Sequence, residues 1–182
     1  MKQTRYIALL RGINVGGNNL IKMLDLRSSF ANMGFTDVET YIQSGNVLFS
    51  SKQSNKAKLT ALIEEALSEA FSYESKVVVV SAGEMERVVA QAPKGFGKDL
   101  EQYRYDVLFV KEPLTASEAL KEVPTTPGVD TAHAGDHALY FRRLASQAAQ
   151  SKLNKLVQRP LYKNLTVRNW NTTIKLLEMV LR

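Results

Sequence analysis

The chain has 182 residues, 45% of them hydrophobic and 23% charged, with no cysteine and two histidines. That length suits one domain or two small ones around a proper apolar core, which excludes a disordered chain and a disulfide scaffold. Cysteine nucleophiles, iron–sulfur clusters and thiolate zinc sites are excluded with them.

The formal charge of +6 is unevenly spread. Residues 1–136 carry 15 Lys and Arg against 17 Asp and Glu, a net of −2. Residues 137–182 carry nine cations (Arg142, Arg143, Lys152, Lys155, Arg159, Lys163, Arg168, Lys175 and Arg182) against Glu178 alone, a net of +8. Such a segment can draw phosphates by Coulomb steering and counterion release; the plainer alternative is that it forms the solvated backs of helices. The opening apolar run Tyr6–Leu10 stops at Arg11, and no run approaches the roughly 20 residues of a membrane span. A soluble cytoplasmic protein without a secretory leader is expected.

In chain order, residues 5–11 read as a short buried strand ending at Gly12. The Gly/Asn-rich loop Gly12-Ile-Asn-Val-Gly-Gly-Asn-Asn leads into a helix with Met23, Leu26, Phe30 and Met33 on one face, stopped by Gly34. Asp37–Gln43 and Val47–Ser50 are strand-like and joined by the turn Ser44-Gly45-Asn46. After Asn55, a long amphipathic helix aligns Leu59, Leu62, Ile63, Ala66, Leu67, Ala70 and Phe71. Lys76–Val80 is a central-strand run. The order β-α-β-β-α-β is the ferredoxin-like, or α–β plait, arrangement.

The order then repeats. Ser81-Ala-Gly-Glu84 is a capping-box signature opening a connecting helix to about Gln91, and Pro93–Lys98 is a loop between the halves. Tyr103–Val110 is strand-like, Thr115–Glu118 caps a short helix, and Val129–Ala134 and Ala138–Arg142 flank the turn Gly135-Asp136. A helix with Leu153, Leu156 and Val157 precedes a short strand at Leu165–Arg168, and the two hairpins align Gly45 with Gly135. A final helix places Trp170, Ile174, Leu177 and Leu181 on one face. The expected fold is α+β: two ferredoxin-like βαββαβ units in tandem, residues 1–81 and 102–182, joined by a helix and loop at 82–101, with an additional C-terminal helix.

Glycines between a strand and a helix N-terminus let backbone N–H groups and the helix dipole hold a phosphate. In the Gly12–Lys22 loop, Asn18-Asn19 stand where a P-loop requires Lys and Ser/Thr, and Asn14 stands where a dinucleotide fingerprint has Gly. A Walker nucleotide hydrolase is therefore not expected. Arg11 and Lys22 bracket the loop, so Arg11, Asn14, Gly16, Gly17, Asn18 and Lys22 are candidate ligand contacts; the alternative is a mobile crossover with glycines for positive φ.

Lys94-Gly95-Phe96-Gly97 matches the opening of the RNA-recognition signature, but Lys98-Asp99 breaks it and a linker is expected. His133 and His137, with Asp130 and Asp136, straddle a hairpin turn where spacing does not align ligands, so no metal site is expected. In Arg168-Asn169-Trp170-Asn171-Thr172, Arg168 and Asn169 are further anion candidates at a helix N-terminus, with the indole as a wall. The alternative is a helix cap beside a core anchor. No arrangement names a nucleophile or base, so catalytic residues and cofactors stay open.

The stretch Tyr6-Ile-Ala-Leu-Leu-Arg-Gly-Ile-Asn-Val-Gly-Gly-Asn-Asn-Leu-Ile-Lys-Met, followed by Gly-Phe-Thr-Asp-Val and Tyr-Ile-Gln-Ser-Gly-Asn-Val-Leu-Phe, resembles the bacterial family DUF1697, a domain of unknown function. Arg168–Thr172 with Lys175-Leu176-Leu177 is similar to that family's closing signature. The likeness is dense over residues 6–49 and loose over about 84–165. It implies two ferredoxin-like units, in agreement with the element order, and supplies no activity.

In a plait, the loop after the first strand and the turn of the following hairpin are expected at opposite ends of the sheet, which leaves one shared pocket without support. The leading expectation is a small binding protein whose Arg11–Lys22 loop, with Arg168 and Asn169, holds an anionic or phosphorylated small molecule. Nucleic-acid binding through the plait sheets and the basic segment is the first alternative. An enzyme whose groups converge only on folding is the second.

Overall fold

From Tyr6 to Leu10 the first strand is apolar at every position, a pattern required of a strand buried on both faces. In the computed structural model, which describes residues 3–182, all five are buried. They lie in β1 (Thr4–Leu10), followed by α1 (Met23–Asn32), β2 (Thr36–Tyr41), β3 (Asn46–Ser51), α2 (Lys56–Phe71) and β4 (Val77–Ser81). Then come α3 (Ala82–Ala90), β5 (Tyr103–Val110), α4 (Ala116–Glu122), β6 (Asp130–Ala134), β7 (Ala138–Leu144), the single turn α5 (Leu153–Leu156), β8 (Leu165–Asn169) and α6 (Trp170–Val180).

The strands form two four-stranded antiparallel sheets, ordered β2-β3-β1-β4 and β6-β7-β5-β8. Both are the split βαββαβ order, so the fold is two tandem ferredoxin-like units with an additional C-terminal helix. By internal contacts, one unit runs to Met85 and takes in Leu176–Arg182; the other is Glu86–Lys175.

In the first unit, Leu26 and Phe30 of α1 and Leu59, Ile63 and Leu67 of α2 pack on Tyr6, Ala8, Leu10, Val47, Phe49, Val77 and Val79. Asn55 caps α2 by accepting a hydrogen bond from the Lys58 N–H at 3.1 Å. Glu84 forms the capping box read from sequence: its carboxylate accepts from the Ser81 N–H at 2.8 Å and the Ser81 hydroxyl at 2.9 Å. It also takes the Lys56 ammonium at 2.5 Å. Burial alone would raise this carboxyl, but the bonds from Lys56 and Ser81 outweigh it and hold it below its usual value.

In the second unit, Ala116 and Ala119 of α4 with Leu153, Leu156 and Leu161 cover Leu108, Val110, Leu139, Phe141 and Leu165. The helix expected around Leu153–Val157 shrinks to one turn between 3-10 turns at Ala145–Gln150 and Pro160–Asn164. Pro160 disfavours helical backbone at Arg159, and Val157 is left 58% exposed.

The hairpin alignment also shifts by two residues. The Leu10 N–H bonds the Gly45 carbonyl and the Arg11 N–H the Lys76 carbonyl; Val110 and Lys111 repeat these bonds to His137 and Asn164. The counterpart of Gly45 is therefore His137, because Gly135 lies within the longer tip of the second hairpin.

Two further expectations are corrected. Lys94–Gly97 is a packed segment rather than a linker. Phe96 meets Tyr105, Tyr140 and Trp170 edge-on, at centroid distances of 4.9, 5.6 and 5.1 Å. The Gln91 amide donates to Asp136 at 2.6 Å and accepts from the Asp136 N–H at 3.0 Å, and the Tyr140 hydroxyl donates to the Val88 carbonyl at 2.6 Å. On α6 the buried residues are Thr172, Thr173, Leu176, Met179 and Val180, whereas Leu181 is 53% exposed. Thr173 can be buried because its hydroxyl donates to the Asn169 carbonyl at 3.0 Å.

Gly97 has φ +80°, and a Cβ there would lie 2.1 Å from the Trp170 ring. Gly97→Ala should therefore lower stability by roughly 1–3 kcal/mol in urea unfolding. Gly83→Ala, with open space around its Cβ, should be neutral or slightly stabilising.

Glu84→Gln should cost about 1.5–3 kcal/mol at pH 7. Because the native carboxyl titrates low, its stabilisation is present above the ordinary value of 4.5 and disappears as pH falls through the lowered one. The stability gap between wild type and Glu84→Gln should accordingly close in acid.

Candidate functional site: the Arg11–Lys22 loop

Because β1 runs antiparallel to both β3 and β4, its C-terminal end lies beside the starts of those strands. The Gly12–Lys22 loop and the Ser44–Asn46 turn therefore share one end of the sheet, contrary to the expectation of opposite ends. Gly45 is required at this junction: it has φ +77°, and a Cβ would come within 2.8 Å of Leu10 and Ile13 side-chain atoms.

The loop is itself a small hairpin. The Asn14 N–H donates to the Asn19 carbonyl at 3.2 Å, the Asn18 N–H to Val15 at 3.1 Å, and the Asn19 amide to Gly12 at 2.9 Å. The Asn14 carboxamide donates to the carbonyls of Ile21 and Gln43, both at 2.9 Å, and accepts from the Ile21 N–H at 2.8 Å. Ile13 and Ile21 anchor the two feet in the core. Asn14 thus shapes the loop and ties it to the neighbouring turn.

Gly16, Gly17 and Asn18 form an exposed tip, with Leu20 77% exposed beside them. Arg11 stands at one foot, its N–H on the Lys76 carbonyl at 3.0 Å. Lys22 occupies the N-cap position of α1, and its side chain makes no capping hydrogen bond. Along residues 11–25 the sequence carries two cations, Arg11 and Lys22, and one acid, Asp25.

Arg168 and Asn169 belong to the second unit. Arg168 is 8% exposed on β8 and donates to the Val167 carbonyl at 2.8 Å. Burial pushes its pKa down to about 10, which still leaves it charged at neutral pH. Asn169 caps α6, its side-chain oxygen accepting from the Thr172 N–H at 2.8 Å.

The histidines and aspartates of the second hairpin diverge. Asp130 accepts from the Thr126 and Lys152 N–H groups, both at 2.9 Å, while His133, three residues along the strand, points to the other face. His137 lies beside Arg87, 3.4 Å away.

The sequence reading missed a cleft in the second unit. Tyr105, Arg142 and Thr131 are neighbours across β5, β7 and β6, on the face away from the α4 core. Together with His133, Lys94 and Phe96 they line about 150 Å³ of open space. Alternation along three separate strands was the available signal, but it gains meaning only once the strands are paired.

The fold and these sites define an α+β protein of two ferredoxin-like units. The DUF1697 family model, described as a protein of unknown function, matches residues 3–140, and the chain belongs to that family. The match ends before Arg168–Thr172. The chain is also similar to the conserved bacterial protein SP0830 from Streptococcus pneumoniae. The two share 29% identity at a TM-score of 0.86, over 98% of this chain and 99% of that one. No curated protein matches.

Asn14→Ala removes three hydrogen bonds at once, and about 1–3 kcal/mol of local stability should go with them. Hydrogen exchange at the Ile21 amide should accelerate while amides in β1 stay protected. Unchanged exchange at Ile21 would show that Asn14 does not hold the loop.

Proposed function

We propose that the protein is a cytoplasmic bacterial binding protein whose Arg11–Lys22 loop takes an anionic, phosphate-bearing small molecule. One observation carries this reading: a loop pinned by Asn14 delivers Lys22 to the N-cap of α1, where its side chain makes no capping hydrogen bond. The first-turn N–H groups of such a helix have no intrahelical acceptor and sit at the positive end of its dipole. The glycine tip lets a ligand approach the backbone closely, and Arg11 adds a second cation. Arg168 and Asn169 are already engaged in a β8 backbone bond and the α6 cap, so the reading rests on the loop alone.

Thermal-shift measurements with inorganic phosphate and a panel of phosphorylated metabolites test it. A ligand at a hundred times its Kd adds about 2.7 kcal/mol, or roughly 5–10 °C for a chain of this size. Arg11→Ala and Lys22→Ala should each abolish most of that shift. Shifts untouched by both substitutions overturn the reading. Salt-sensitive retention on RNA that survives both would instead favour nucleic-acid binding by the basic segment.

A further inference from the structure

The second sheet offers a different kind of site. Its face away from α4 carries Tyr105, Arg142 and Thr131 side by side, with His133 one step further along β6. The Pro93–Gly97 segment crosses part of this face and leaves an open cleft between itself and the strands.

Its lining combines two chemistries. Lys94, Arg142 and His133 supply cationic or protonatable nitrogen, and no acidic residue is among the described residues lining the cleft. Half-buried Phe96 supplies aromatic surface, and the buried Tyr105 ring backs it edge-on at 4.9 Å. The Arg142 guanidinium is held in place by lying 4.3 Å above the Tyr103 ring. The opposite wall is fixed by the Gln91–Asp136 pair and by Phe96 against Trp170.

We propose that this cleft binds a nucleotide unit, with the phosphate on Lys94 and Arg142 and the base against Phe96. Guanidinium groups match phosphate oxygens, and aromatic faces accept any base by stacking. The space of about 150 Å³ is smaller than a pocket that encloses a drug-sized ligand, roughly 300 Å³ or more. The cleft therefore holds part of the nucleotide and leaves its remainder outside, open to a free nucleotide or to one within a single strand. This site is independent of the Arg11–Lys22 reading.

Trp170 is the single tryptophan of the chain and touches Phe96, so its fluorescence reports on the cleft. Titrations with adenosine and uridine monophosphates, with inorganic phosphate, and with eight-nucleotide single-stranded RNA and DNA should be followed through that signal. Amide shifts at Thr131 and His133 provide a second readout. A saturable response to monophosphates or oligonucleotides is expected, weakened at least tenfold by Arg142→Gln and by Lys94→Ala. Lys94 is exposed and its truncation leaves the aromatic packing in place, which separates loss of binding from loss of fold.

Binding of monophosphates identifies a free nucleotide, and binding of oligonucleotides alone identifies a strand. Response to inorganic phosphate only, no response at all, or binding indifferent to both substitutions overturns the proposal.

Discussion

The antiparallel pairing of β1 with β3 and β4 is the constraint on which the first unit depends. Leu9 opposes Asn46 and Val78, and Leu10 opposes Val77, so the end of β1 lies beside the chain entering β3 and β4. A slip of one residue would turn every inward side chain outward and would dissolve the junction of the Gly12–Lys22 loop with the Gly45 turn. β5 obeys the same rule with β7 and β8, and Val110 and Lys111 make the bonds that Leu10 and Arg11 make. The duplication is clearer in these backbone bonds than in residue identity.

Around this frame, polar side chains are placed where the backbone needs partners. Asn14 serves Ile21 and Gln43, and the fully buried Asn46 donates to the Tyr41 carbonyl at 2.9 Å and to the Ser44 hydroxyl at 3.1 Å. Both asparagines lie within the residues that the family model matches. Their contacts show that a polar loop residue can serve the shape of the backbone, since a buried unpaired carbonyl costs about as much as a lost hydrogen bond. Arg168 and Asn169 follow the same logic in the second unit.

The net charge also changed meaning. Of the basic residues after position 136, Arg168 is buried and Arg142 is pinned over Tyr103. Arg143 reaches Asp106 at 3.5 Å, and burial raises the Asp106 carboxyl despite that neighbour. Three of the nine are thus held by burial, a ring or an acid, while Lys155, Arg159, Lys163 and Arg182 are exposed.

Element order, the two units, the α4 cap and the Ser81–Glu84 box were legible in the residues because they depend on periodicity and on hydrogen bonds three or four residues apart. So was Asn169 as a cap. The one-turn α5, the buried face of α6 and the two-residue shift between hairpins were not, because Pro160, the Thr173 hydroxyl and strand register act through partners that spacing does not identify. The loop's cations and glycines could be listed from sequence, but not the use of Asn14 as a staple. By itself the chain determined what must be buried and where it must turn. Tertiary structure alone decided which turns meet and which side chains of separate strands become neighbours, because strand pairing joins residues with no relation along the chain.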